Sequence, residues 1–122
     1  MGLLEALCDE CGADLDVYTG NDDQLVPAMK LGAQGVISVY SNVAPREVSA
    51  LYRLCAAGEW RRAGEESRAC RARMRALFWE VNPIPVKYVA SLLGLCRSEY
   101  RLPLCPPSPD TAKRLRAIFA QE

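Results

Sequence analysis

Apolar residues recur along the first 40 positions in an order that predicts helix, strand, helix and strand. A helical spacing over 3–11 is followed by a short apolar strand at 15–18. A second helix is expected to begin near Asp22 or Asp23, because either side chain could cap it. The run 35–40 is nearly continuous in apolar, β-branched residues, which is typical of a strand buried on both faces of a parallel sheet. The pattern therefore predicts one strand–helix–strand unit with parallel strands.

After the second strand the apolar periodicity is helical. Helices are predicted over 45–57 and 59–79, and a third begins at Pro85. Residues 99–107 are rich in proline and predict a loop, and Ser108–Asp110 supplies a serine cap and a first-turn proline for a last helix. Two parallel strands cannot close or cover a sheet. We therefore expect this α/β chain to be a piece of a larger protein or to pair its strand edges with another chain.

Composition narrows the function classes. The chain has 122 residues, and 15 Lys and Arg balance 15 Asp and Glu, which argues against a nucleic-acid partner recognised by long-range charge. No apolar run is long enough to cross a membrane, and the residues after Met1 lack the basic region of a secretory signal, so we expect a cytoplasmic protein. The absence of histidine excludes histidine-activated nucleophiles and histidine-ligated metals.

The six cysteines are expected to be structural thiols. Cys8 and Cys11 have the spacing of a metal or redox pair, but they fall within a predicted helix and the other four cysteines stand far apart. Free cysteine packs as a small apolar residue. We therefore expect no metal, no cofactor and no disulfide framework.

The loop 19–23 is the first candidate for chemistry, because it follows the first strand at the end where parallel α/β folds place their sites. Gly20 would let a ligand approach the backbone. Asp22 and Asp23 could act as acid or base, although a turn with a helix cap is the favoured interpretation of the two acids.

Three further features have a chemical and a structural interpretation. Lys87 is the best placed of three lysines to act as an imine-forming amine, but it lies in the helical half. Tyr40 could be an acid or base, or an aromatic side chain packed at the strand end. The arginine-rich segment 61–75 could bind nucleic acid, but a solvated helix face is the simpler interpretation.

Five motifs occur in a characteristic order: VYTGNDD at 17–23, LGAQGVISV at 31–39, NVAP at 42–45, NPIPVK at 82–87 and YRLPL at 100–104. Together they resemble the C-terminal portion of the dihydrodipicolinate synthase family of pyruvate-dependent Schiff-base lyases. The resemblance covers essentially the whole chain. It implies a C-terminal fragment of a (β/α)8 TIM barrel followed by a C-terminal helical region. Residues 1–58 would then be a partial barrel that comprises the end of the sixth helix and strands seven and eight with their helices. Residues 59–122 would be the C-terminal helical region.

The resemblance also implies a reaction, in which pyruvate condenses with aspartate semialdehyde in lysine and diaminopimelate biosynthesis, without a cofactor and in a homo-oligomer (a tetramer in the family). The family's imine-forming lysine, at the end of the sixth strand, would lie just before Gly2, and the tyrosine of its proton relay also lies in the first half. The chain alone therefore holds no catalytic residue and is predicted to be inactive. Two substrate contacts carry over: Ile37, whose backbone would contact pyruvate, and Gly20, whose backbone would lie beside the second substrate.

Alternatives remain open. Asn21 occupies a position at which the family more often has Asp. Tyr40 and Ser41 occupy positions at which it more often has Thr and Ala. The first alternative is therefore another pyruvate-dependent aldolase of the same family. A truncated, non-catalytic remnant or subunit-pairing fragment is a second alternative. An unrelated helical interaction module with a basic face is a third.

Overall fold

The computed structural model describes residues 2–119 and contains six α-helices and two short strands within that range. In chain order these are α1 (Gly2–Cys11), β1 (Tyr18–Thr19), α2 (Leu25–Lys30), β2 (Gly35–Val36), α3 (Pro45–Ala56), α4 (Trp60–Ala76), α5 (Ile84–Leu92) and α6 (Pro109–Phe119). Two 3-10 turns, Asp22–Gln24 and Tyr40–Asn42, follow the two strands. The predicted order of a strand–helix–strand unit and then helices is confirmed.

The two strands are parallel and form a two-stranded sheet. Tyr18 pairs with Gly35, and Thr19 pairs with Val36. Backbone bonds extend the ladder by one step at each end, from the Gln34 N–H to the Val17 carbonyl (2.7 Å) and from the Ile37 N–H to the Thr19 carbonyl (2.9 Å).

Both strands are shorter than the sequence pattern predicts. The first was expected at 15–18 and the second at 35–40, but regular pairing covers only two residues of each. The second strand ends because the backbone after Ile37 turns into the 3-10 turn that holds Tyr40. Apolar, β-branched runs mark where strands can form, whereas pairing needs a neighbour along the whole length.

The helix ends follow local chemistry. Gly58 and Gly94 follow α3 and α5 with positive φ of 71° and 73°, a conformation that favours glycine. Pro45 opens α3. The Ser108 hydroxyl accepts the Thr111 N–H at 3.3 Å, so the predicted serine cap of α6 is confirmed.

The core lies between the helices and behind the two strands. Helix α3 packs on α2 and α4, and α5 packs on α6. The largest fully buried side chains are Tyr40, Leu25, Leu51, Leu77, Leu115, Val89 and Pro85. The proposed division at residue 58 stays a prediction. Within residues 2–119, no helix is both long and apolar enough to cross a membrane.

Three large apolar side chains in or beside the strands are exposed. Leu15 is 63% exposed, Tyr18 48% and Ile37 70%. These three residues are called the open sheet face below. The sheet itself has two strands and no further neighbour among the described residues, so its edges are open to contact with other polypeptide.

Candidate functional site

Gly20 and Ile37 lie side by side at the carboxyl ends of the two strands. Thr19 pairs with Val36, so the next residue of each strand is Gly20 and Ile37 respectively. A Cβ built on Gly20 meets no atom within 4 Å, and the Ile37 side chain is exposed. Among the described residues, neither the Gly20 amide nor the Ile37 carbonyl makes a hydrogen bond. This edge of the sheet therefore offers one free backbone donor, the Gly20 N–H, and one free acceptor, the Ile37 carbonyl, to a ligand or to another polypeptide.

Asp22 ties the loop after β1 to the turn after β2. It is only 4% exposed. Its Oδ2 accepts the backbone N–H groups of Val39 (3.1 Å) and Tyr40 (3.0 Å), and its Oδ1 accepts the Ser38 hydroxyl. We call this set of bonds the Asp22 latch. The latch fixes the backbone directly after Ile37.

The expectation that Asp22 or Asp23 caps the next helix is wrong. Neither the 3-10 turn nor α2 has a side-chain cap bond. The physical reason is that the Val39 and Tyr40 amides have no ladder partner, so a buried carboxylate satisfies them across the sheet edge. Because the Asp22 carboxylate already accepts hydrogen bonds from Ser38, Val39 and Tyr40, it positions the backbone and is not free to act as an acid or base.

A small cavity of about 230 Å³ lies beside this loop. Asn21, Asp23, Arg75 and Phe78 contribute to its wall. The Asn21 side-chain amide donates to Gln24 Oε1 at 3.3 Å, which holds the loop against its own turn. The cavity thus lies between the loop that follows β1 and the end of α4.

Tyr40 is a packed aromatic residue that belongs to a partly buried polar cluster. Its hydroxyl donates to Glu47 Oε2 at 2.5 Å, and the Cys70 thiol contacts the same oxygen at 3.0 Å. Arg73 forms an ion pair with Glu47 Oε1 at 3.1 Å. Burial, followed by the bond to Glu47, raises the pKa of Tyr40 well above its usual value. The phenol is held protonated, so the structure favours the packing interpretation over the acid–base one.

No described contact joins a lysine to the strand ends. Lys30 is in the last turn of α2, and its ammonium lies 5.7 Å from the Trp60 ring centroid. Lys87 is in α5, where its ammonium lies 5.3 Å from the Tyr100 ring centroid, and Lys113 is in α6. Within residues 2–119, the contacts therefore identify no imine-forming lysine at Gly20 and Ile37.

The Cys8–Cys11 pair and the arginines of α4 show no arrangement that would bind a metal or a nucleic acid within residues 2–119. Cys8 and Cys11 are half-buried and free on α1. Residues 2–119 contain no group of three metal-binding side chains. On α4, Arg61 pairs with Glu65 at 2.8 Å and Arg62 pairs with Glu59. These exposed pairs fit the solvated-face interpretation of the arginine-rich segment.

Sequence reasoning missed the Asp22 latch and the Glu47 cluster. Asp22 and Ser38 are 16 residues apart, and Glu47 and Cys70 are 23 apart, so no local spacing reveals either contact. The available signal was chemical: Asp22 and Glu47 are acids that neighbour apolar stretches, and such acids need partners if they are buried.

Comparisons with known proteins agree along the whole chain. The model of the dihydrodipicolinate synthetase family matches residues 1–122. The 4-hydroxy-tetrahydrodipicolinate synthase of Aquifex aeolicus is 42% identical over 119 residues, which are 98% of this chain and 40% of that protein.

Solved structures show the same conformation. A crystal structure of dihydrodipicolinate synthase from Aquifex aeolicus superposes with a TM-score of 0.93 at 41% identity, covering 97% of this chain and 40% of that one. The chloride-inhibited dihydrodipicolinate synthase from Acinetobacter baumannii, complexed with pyruvate, gives a TM-score of 0.91 at 33% identity, covering 96% and 40%. The chain thus spans about 40% of the length of the relatives it matches.

Proposed function

The chain belongs to the dihydrodipicolinate synthetase family and has the fold of a C-terminal portion of its TIM barrel, and from this premise we propose that it supplies one wall of a pyruvate-binding lyase site. In the proposed reaction an imine formed from pyruvate gives an enamine, which attacks aspartate semialdehyde. The observation that carries the proposal is that Gly20 and Ile37 lie side by side at the carboxyl edge of the sheet, where the Gly20 N–H and the Ile37 carbonyl have no hydrogen-bond partner among the described residues.

We propose a separate role for each residue. The Ile37 backbone contacts the pyruvate unit, and the open space at Gly20 admits the second substrate close to the backbone. The Asp22 latch holds the Ile37 position in register, because it fixes the amides of Val39 and Tyr40, two and three residues further along the chain. Preorganised backbone groups need no rearrangement when substrate binds.

The amine for imine formation is proposed to come from the portion of the barrel that precedes these residues in the relatives. That portion would also cover the open sheet face and complete the parallel sheet on both sides of β1 and β2. We further propose that the complete protein is cytoplasmic and homo-oligomeric.

Reconstitution tests the proposal. The 122-residue chain is mixed with the part of the Aquifex aeolicus synthase that precedes the matched region, and pyruvate consumption is followed with and without aspartate semialdehyde. Borohydride trapping should then give a pyruvate adduct on the added polypeptide and none on this chain. A folded one-to-one complex that forms no adduct would contradict the proposed function.

The second substrate is a separate question, because another pyruvate-dependent aldolase remains the competing candidate. Asn21 and Tyr40 differ from the commoner family residues, and Asn21 lies at the strand-end loop. In the same complex, aspartate semialdehyde should be consumed faster than a sugar-derived aldehyde. The reverse preference would favour the competing aldolase.

A further inference from the structure

A second cavity, of about 630 Å³, lies between the start of α5 and the loop that follows it, on the helical part of the molecule. Three cationic side chains line it: Lys87, Arg97 and Arg101. Glu99 is the one acid in its wall among the described residues. The lining therefore carries two uncompensated positive charges in a chain whose formal net charge is zero.

The cations are not neutralised by other parts of the described structure. Arg97 and Glu99 lie 3.7 Å apart, and both side chains are largely exposed, so this pair is weak. Within residues 2–119, Lys87 and Arg101 have no carboxylate within 4 Å. The Lys87 ammonium is instead held 5.3 Å from the centroid of the Tyr100 ring, on one wall of the cavity.

The cavity also has the volume and the partly apolar wall that are typical of a small-molecule site. Its volume falls within the range of about 300–1,000 Å³ that ligand sites occupy. Pro83 and Leu104 provide apolar wall, and Tyr100 provides an aromatic one. A concave surface lined by one sign of charge concentrates ions of the opposite sign.

We propose that this cavity binds a small oxyanion, a carboxylate or a phosphate, through Lys87, Arg97 and Arg101. Guanidinium groups present paired N–H donors that match the oxygens of either anion, and the Lys87 ammonium adds a point charge. The proposed site is built from α5 and the 96–104 loop, so it is separate from Gly20 and Ile37.

Cys96 provides a built-in reporter of this site. The thiol is exposed, lines the cavity and lies 3.8 Å from the Lys87 carbonyl oxygen. Cys105 is also free and exposed but does not line the cavity, so it serves as a matched control in the same chain. The experiment alkylates the 122-residue chain with anionic iodoacetate or neutral iodoacetamide and measures each cysteine by mass spectrometry.

The iodoacetate-to-iodoacetamide ratio should be about fivefold higher at Cys96 than at Cys105, as expected for opposite charges about 4 Å apart in water. Inorganic phosphate and succinate are then titrated at constant ionic strength. One or both should protect Cys96 saturably, with no effect on Cys105, and the more effective probe identifies the class of anion. The variant Lys87→Met should lose this protection, whereas Lys113→Met, which changes a lysine of α6, should keep it.

Equal reagent ratios at the two cysteines would overturn the proposal. So would protection that sodium chloride reproduces at the same ionic strength, because this would indicate screening rather than binding. If Lys87→Met fails to fold by circular dichroism, Arg101→Met replaces it, since Arg101 is exposed and its removal leaves the helices intact. Full protection in Arg101→Met would likewise contradict the site.

Discussion

At the scale of single residues, the most consequential side chain is that of Asp22. Its carboxylate satisfies two backbone amides and a hydroxyl at the point where β2 ends. A buried polar group that loses its partner costs about 1–3 kcal/mol. One aspartate therefore determines whether the edge that carries Gly20 and Ile37 keeps its shape.

Replacing Asp22 should destabilise the chain more than replacing its neighbour. We expect Asp22→Ala to lower the free energy of unfolding by about 2–4 kcal/mol, because Ser38 and two amides lose their acceptor. Asp23→Asn is the control, since Asp23 makes no side-chain hydrogen bond within the described residues. Urea unfolding followed by circular dichroism measures both. Equal losses in the two variants would show that the latch adds no stability.

Cys70 should make stability fall at alkaline pH. Burial, reinforced by the bond to Glu47, raises the pKa of the Cys70 thiol from 9.0 to about 11. The folded state holds this proton more tightly than the unfolded state does. Stability is therefore fully present below pH 9 and declines as pH rises from about 9 to about 11, by about 2–3 kcal/mol in total.

The measurement is the thermal midpoint between pH 8 and pH 11 for the parent chain, for Cys70→Ala and for Cys105→Ala. Cys70→Ala should reduce the alkaline decline, and Cys105→Ala, which alters an exposed thiol, should leave it unchanged. An identical slope in all three proteins would contradict the assigned environment of Cys70.

At the scale of secondary structure elements, the start of α6 depends on α4 as well as on its own cap. Glu80, just beyond α4, accepts the backbone N–H of Ser108 at 3.0 Å and its hydroxyl at 2.8 Å. These bonds, with a further one from Thr111, lower the pKa of Glu80. The carboxylate thus joins the end of one helix to the beginning of another.

Breaking this connection should loosen α6 selectively. Glu80→Gln is expected to weaken the helix start by about 0.5–2 kcal/mol, the range of a lost cap. In the parent chain the same contribution is present above pH 4.5, the usual pKa of glutamate, and is lost as pH falls through the lowered folded value. Hydrogen exchange at residues 111–115 should speed up in Glu80→Gln, while α3 stays unchanged. Uniform acceleration across both helices would argue against a local effect.

The helices could be predicted because their signals are local. Pro45, Gly58 and Ser108 mark helix ends through their own backbone preferences, and apolar periodicity fills the intervals. The strand ends could not be predicted, because pairing and the Asp22 latch depend on residues far apart in sequence. The adjacency of Gly20 and Ile37 could be predicted only in part. Two parallel strands bring their carboxyl ends together, but the register came only from the structure.

At the scale of the whole molecule, the chain has a helical core and an incomplete sheet. The core draws side chains from the first 55 residues and from the helices after residue 59. The sheet has an unpaired edge on each side among the described residues, and the apolar side chains of Leu15, Tyr18 and Ile37, in or beside the strands, are exposed. In the matched relatives, this chain corresponds to about 40% of the length.

The isolated chain should form no covalent pyruvate adduct. Imine formation requires an amine positioned beside the substrate, and no described hydrogen bond, ion pair or ring contact brings any of the three lysines to the Gly20–Ile37 edge. Borohydride trapping with pyruvate, followed by intact mass and peptide mapping, tests this. A stoichiometric adduct on Lys30 or Lys87 would place the chemistry within this chain, contrary to the proposal.

The most direct measurement of the central claim, that β1 and β2 belong to a larger barrel sheet, is hydrogen exchange with and without the preceding part of the Aquifex aeolicus synthase. In the isolated chain, amides of residues 18–20 and 35–37 should exchange faster than those of α4 and α5, because the strands lack outer neighbours while the helices pack on one another. Adding the partner polypeptide should protect 18–20 and 35–37 and leave α4 and α5 unchanged. Strong protection of both strands in an isolated monomer that unfolds in one sharp transition would contradict the account, since the chain would then close its own core.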